Sequence, residues 1–186
     1  MMNAPTPPQS LSDYVTGTVV ADSGCEQNRQ AVERFLVDEL GYEKGDIRVD
    51  FPIAFEIGEG VVYRSALDLA VFVEGRPFMV VKTAAGSIDS WERMALAAAR
   101  IISDTPARLA VSSDGSEAVI LDAETGKRFG RGMSAIPPKN DAARLMGPTP
   151  PPSIPQDRLY RERLIFRSYD RDVVNTSRLK GDQPAA

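Results

Sequence analysis

Apolar positions between residues 21 and 136 repeat with periods that predict a helix, three strands, a second helix and two further strands. Ser23 and Glu26 have the spacing of a capping box, Val32, Phe35, Leu36 and Leu40 follow on one helical face, and Gly41 offers a stop. Residues 47–57 alternate as a strand does, with Ile47, Val49, Phe51 and Ile53 on one side. Residues 67–73 and 78–81 are nearly unbroken apolar runs, the pattern of strands buried on both faces, and Glu74-Gly75-Arg76 reads as the hairpin turn between them. Residues 89–103 form the second helix, with Trp91, Ala95, Ala98 and Ile102 on its packed face. Residues 108–112 and 118–121 pair about Asp114-Gly115. Strands and helices in this order predict an α/β domain built on a central mixed β-sheet flanked by helices.

The flanks read differently. Residues 1–20 open with Pro5, Pro7 and Pro8 and predict a flexible arm. Half of the 14 prolines fall in 137–155, which predicts an extended, semi-rigid linker. Beyond it, 156–186 is an arginine-rich helical extension with a polar tail. Leu159, Leu164, Ile165, Phe166 and Tyr169 supply an apolar face there, among Arg158, Arg161, Arg163, Arg167 and Arg171.

Composition narrows the chemistry. The 186 residues contain no histidine, which excludes His-based triads, His general bases and His metal ligands. The single cysteine, Cys25, excludes internal disulfides and cysteine zinc sites. A net charge of −4 argues against bulk electrostatic coating of nucleic acid. The opening residues lack a signal-peptide pattern, and the apolar stretch 94–102 is short and carries Arg100, so a cytoplasmic protein with no membrane span is expected.

One residue of the apolar strands is out of character. Asp68 shares a face with Ala70 and Phe72, where an ionised carboxylate costs several kcal/mol unless a cation or donors offset it. The next strand ends in Lys82, and a three-residue loop at 74–76 would place Lys82 directly opposite Asp68. The pair is either a half-buried salt bridge or part of an active site.

These residues carry a resemblance. Glu26-Gln27-Asn28-Arg29-Gln30, Leu40-Gly41-Tyr42, Arg64-Ser65-Ala66-Leu67-Asp68, the hairpin Val73-Glu74-Gly75-Arg76-Pro77 and the strand ending at Lys82 resemble the N-terminal nuclease domain of type I restriction enzyme R subunits. That family is a branch of the PD-(D/E)XK restriction-endonuclease-like superfamily, and the likeness spans about residues 23–128. It implies a restriction-endonuclease-like core with helix–three strands–helix–strand order. It also implies a strand aspartate that binds magnesium, a glutamate on the next strand as second ligand, and a lysine two residues on that positions the attacking water.

On this chain the aspartate is Asp68, the glutamate position is Lys82 and the lysine position is Ala84. Lys82 repels a cation where a ligand belongs, and Ala84 has no amine. The resemblance thus points to a degenerate nuclease with no cofactor, in which Lys82 neutralises Asp68. An active, magnesium-dependent endodeoxyribonuclease would need a relocated carboxylate. Glu92 on the second helix and Glu26 on the first are the candidates, although each is also placed to cap its own helix. Arg29 is a candidate phosphate contact or a solvated surface residue.

Three functions stay open. One is a pseudoenzyme acting as a DNA-binding or protein-interaction module. A second is a nuclease with a rearranged catalytic site of Asp68, Lys82, Glu26 and Glu92, with Asp68 on the metal. The third is a homo-oligomeric structural domain. Arg158, Arg161, Arg163 and Arg167 are candidate contacts to nucleic acid or a partner, and the C-terminal extension is a candidate surface for a homodimer or another protein.

Overall fold

The computed structural model describes residues 10–58, 60–172 and 181–184. A hairpin of β1 (Ser10–Ser12) and β2 (Val19–Ala21) precedes α1 (Gly24–Arg34). Then come β3 (Ile47–Glu56), β4 (Val61–Val73), β5 (Arg76–Thr83), α2 (Glu92–Ile101), β6 (Leu109–Ser113), β7 (Ala118–Asp122) and β8 (Arg128–Arg131). The chain continues through α3 (Lys139–Met146), α4 (Gln156–Asp172) and β9 (Gly181–Pro184). Strands β3 to β8 lie side by side in chain order as a mixed sheet, and β9 pairs with the start of β4. Among the described residues only β5 and β6 are parallel, with α2 as the crossover between them.

The sheet is packed on both faces. One face, with Ala70, Val80, Ala110 and Val119, meets α2 and Phe166 of α4. The other, with Leu69, Val71, Met79 and Val111, meets Val32 and Leu36 of α1 and Ala142 of α3. This double covering explains the unbroken apolar runs of β4 and β5. It also explains why α2 is buried on nearly every side, since α4 lies across the face that would otherwise be wet.

Several expectations change. Part of the supposed arm is the β1–β2 hairpin, and its turn residue Asp13 is buried against Arg29; residues 1–9 lie outside the described residues. The supposed linker holds α3, leaving an extended stretch only after Gly147. Arg128–Arg131, beyond the last of the predicted strands, form the edge strand β8. Strand β4 begins six residues earlier than its apolar run, because Tyr63 and Ser65 find a buried acceptor in Asp170 of α4. The helix α1 ends in a π-helical turn, Phe35–Glu39, before Gly41 reverses the chain at φ +74°.

Helix α1 buries charge as well as carbon. Arg29 is 3% exposed and meets Glu26 at 2.7 Å, Asp13 at 2.9 Å, Asp50 at 3.1 Å and Glu33 at 3.6 Å. Asp50 reaches it by adopting a left-handed backbone conformation, φ +48°. Burial, with the Asp13 charge adding to it and Arg29 opposing, raises the Glu33 carboxyl to about 7. The folded protein therefore holds this proton where the unfolded chain releases it. Stability from this group is fully present below about pH 4.5 and is lost as pH rises to 7, at most about 3 kcal/mol. Glu33→Gln should match the parent at pH 4.5 and exceed it by about 1–3 kcal/mol at pH 8. Urea midpoints at the two pH values check this, and a parent-like pH slope in the variant would assign the titration elsewhere.

Candidate nuclease-like site

Strand pairing brings Asp68 and Lys82 together, by a route the loop length did not suggest. The turn has two residues, Glu74 and Gly75, both at positive φ, as a tight primed hairpin requires. Such a turn alone would offset Lys82 by one position. A bulge follows it: Phe72 faces Pro77 while Val71 faces Met79, so one residue of β5 is skipped and the register returns. The pairs Leu69–Val81 and Ala70–Val80 then continue to Asp68 opposite Lys82, on the face covered by α2 and α4.

Asp68 is 2% exposed. Its Oδ2 accepts from Lys82 Nζ at 2.7 Å, the Thr83 backbone N–H at 2.8 Å and Thr83 Oγ1 at 3.0 Å. One ammonium and two further donors thus answer the cost of burying the carboxylate. The Lys82 ammonium also lies 5.5 Å from the ring centroid of Trp91, whose other neighbour is Tyr169 of α4. Helix α4 closes the site from outside. Phe166 and Asp170 join Met94 and Ala98 around a residual cavity of about 10 Å³, room for about one water molecule.

The relocation candidates do not join this pair. The amide of Glu26 is capped by Ser23 Oγ, but its carboxylate turns to Arg29 and Gln30, so the capping box is half formed. The Glu92 carboxylate binds Arg128 at 2.6 Å, beside an ion pair between Asp89 and Arg131. Arg131 holds the Asp89 carboxyl below its ordinary value.

Arg29 is neither solvated nor presented to a phosphate, because four carboxylates enclose it. The other arginines are on α4. Arg158 donates to the Glu124 carbonyl, and Arg161 pairs with Asp157 one turn away. Arg163 and Arg167 lie 6.0 and 5.8 Å from the ring centroids of Phe55 and Tyr63.

Magnesium does not fit this residue set. The position of a second carboxylate ligand holds an ammonium bonded to the first, and Ala84 is an apolar core residue. Among the described residues, no group of three carboxylate, cysteine or histidine side chains converges as a metal site.

The sequence pattern missed Thr83, Phe166 and Asp170. Thr83 was legible in principle, as a hydroxyl residue next to Lys82 at the strand end. Phe166 and Asp170 reach the site only through the packing of α4, which no local spacing announces.

Residues 25–137 match the family described as type I restriction enzyme R protein N terminus. The chain belongs to that family. The match covers the sheet from β3 to β8 with α1 and α2, and it stops before α3 and α4. No curated protein and no solved structure is similar enough to count as a match. Among the described residues, no helix is long and apolar enough to cross a membrane.

Proposed function

We propose that this domain is a non-cleaving member of its family, a nuclease fold kept as a binding module within a DNA-handling assembly. The observation that carries the reading is the Lys82 ammonium 2.7 Å from Asp68 Oδ2, where nuclease chemistry needs a cation held between carboxylates. The fold tolerates Asp68 because Lys82 and Thr83 compensate it internally, so the domain needs no metal for stability. The α4 cover supports the same reading: a cavity of about 10 Å³ admits no phosphodiester.

DNA is the partner to test first, since the family is part of a DNA restriction enzyme. The purified full chain is incubated with supercoiled plasmid and linear DNA in magnesium and in manganese, with Asp68→Ala beside it. The expected result is intact DNA in every lane. DNA retention that weakens with added salt is expected on gel-shift assay. Nicking that requires metal and disappears in Asp68→Ala would overturn the non-cleaving assignment. Failure to retain DNA at low salt would overturn the choice of partner and leave the site assignment intact.

A further inference from the structure

A second concavity lies where the linker meets α4, and it shares no lining residue with the Asp68–Lys82 site. Its volume is about 160 Å³. Three guanidiniums line it: Arg100 from α2, Arg108 at the start of β6 and Arg158 from the first turns of α4. Pro151, Pro152 and Ile154 supply an apolar wall.

The charge there is not balanced. Arg100 is 5% exposed and donates to the Ala123 carbonyl at 2.7 Å and to Glu162 at 2.7 Å, and Glu162 is shared with Arg93. Arg108 pairs with Asp122. Arg158 makes an ion pair with no carboxylate among the described residues; its Nη2 donates only to the Glu124 carbonyl, at 3.3 Å. The Glu124 side chain is exposed, and it too makes no ion pair among the described residues. Burial lowers the Arg100 pKa, and the charges of Arg158 and Arg93 lower it further against the pull of Glu162. Three like charges are thus held close around an opening whose lining has one acidic residue, Glu124.

A planar fork such as guanidinium meets an oxyanion with paired hydrogen bonds, and Arg108 and Arg158 keep donors for it. We propose that this cavity is a binding site for a phosphate group, held by Arg108 and Arg158 with Arg100 as the buried charge behind them. One wall belongs to the extension and the other to the sheet domain, so a bound phosphate would also fasten the extension in place.

Isothermal titration of the full chain with inorganic phosphate and with adenosine 5′-monophosphate, at constant ionic strength, tests the site. Saturable 1:1 binding is expected for at least one of them. A loss of about tenfold or more is expected in Arg158→Gln, with a similar loss in Arg108→Gln. Arg158 is half-buried on the surface of α4, so its variant should fold, and circular dichroism checks this. Tighter binding of the nucleotide would show that the proline wall takes the base, and equal affinity would assign the phosphate group alone. No saturable binding of either up to about 10 mM, or binding unchanged in both variants, overturns the proposal.

Discussion

Lys82→Ala should lower the stability of the domain by about 3 kcal/mol, the low end of what a broken buried ion pair costs. The reason is Asp68, which stays 2% exposed beneath α4 and loses the ammonium 2.7 Å from its Oδ2. Thr83 still donates twice to the same oxygen, and this keeps the loss below that of a fully orphaned charge. Asp68→Asn should cost less, because the Lys82 ammonium can turn to solvent and to the face of Trp91. The double variant Asp68→Asn with Lys82→Met should recover most of the loss, since a buried pair replaced as a unit is often neutral. Urea denaturation of the parent, Asp68→Asn, Lys82→Met and the double variant measures the coupling, with Trp91, the single tryptophan, as a local fluorescent reporter. A coupling energy near zero would mean that the ion pair does not stand in for a metal. Magnesium that restores the stability of Lys82→Ala and leaves the parent unchanged would show that the lysine alone had displaced a working cation site.

The pairing behind that prediction was legible in the sequence, although part of the legibility was a cancellation. Alternation placed Asp68 inward and the apolar run brought Lys82 to the strand end. A three-residue loop gave the same register that a two-residue turn and a bulge produce together. The strand and helix periods carried most of the fold because each reports a locally repeated burial. What stayed hidden depends on contacts between distant segments. Tyr63 and Asp170 are 107 residues apart, and Arg29 and Asp13 meet only because the β1–β2 hairpin folds onto α1. A charged residue such as Arg29 reads as surface until the other charges around it are known. The proline count likewise marked 137–155 as extended, yet α3 starts directly after Pro137-Pro138, as prolines at a helix entrance permit.

Phe166→Ala should be the most damaging single change in the extension, with a loss of about 3–5 kcal/mol. Phe166 is 1% exposed, meets Phe55 edge to face at 6.1 Å and roofs the cavity over Asp68. Its loss should unfold the domain as a whole instead of releasing α4 alone. Undocking α4 would take Glu162 from Arg93 and Arg100 of α2, would bare Met94 and Ala98 beneath Phe166, and would strip Tyr63 and Ser65 of Asp170. Helix α4 thus belongs to the core, although it lies outside the stretch that matches the family. The check is urea unfolding followed by Trp91 fluorescence and by far-ultraviolet circular dichroism. Trp91 lies 6.2 Å from Tyr169, ring centroid to ring centroid, and reports the α4 interface, while the dichroism reports the whole fold. Coincident transitions at a lower midpoint are expected, with Leu164→Ala, at 38% exposure, within about 0.5 kcal/mol of the parent. A fluorescence change that precedes the loss of secondary structure would instead make α4 a separable cover. The nuclease-like site would then be open whenever that cover leaves, and the cleavage assay on Phe166→Ala would become the decisive form of the experiment.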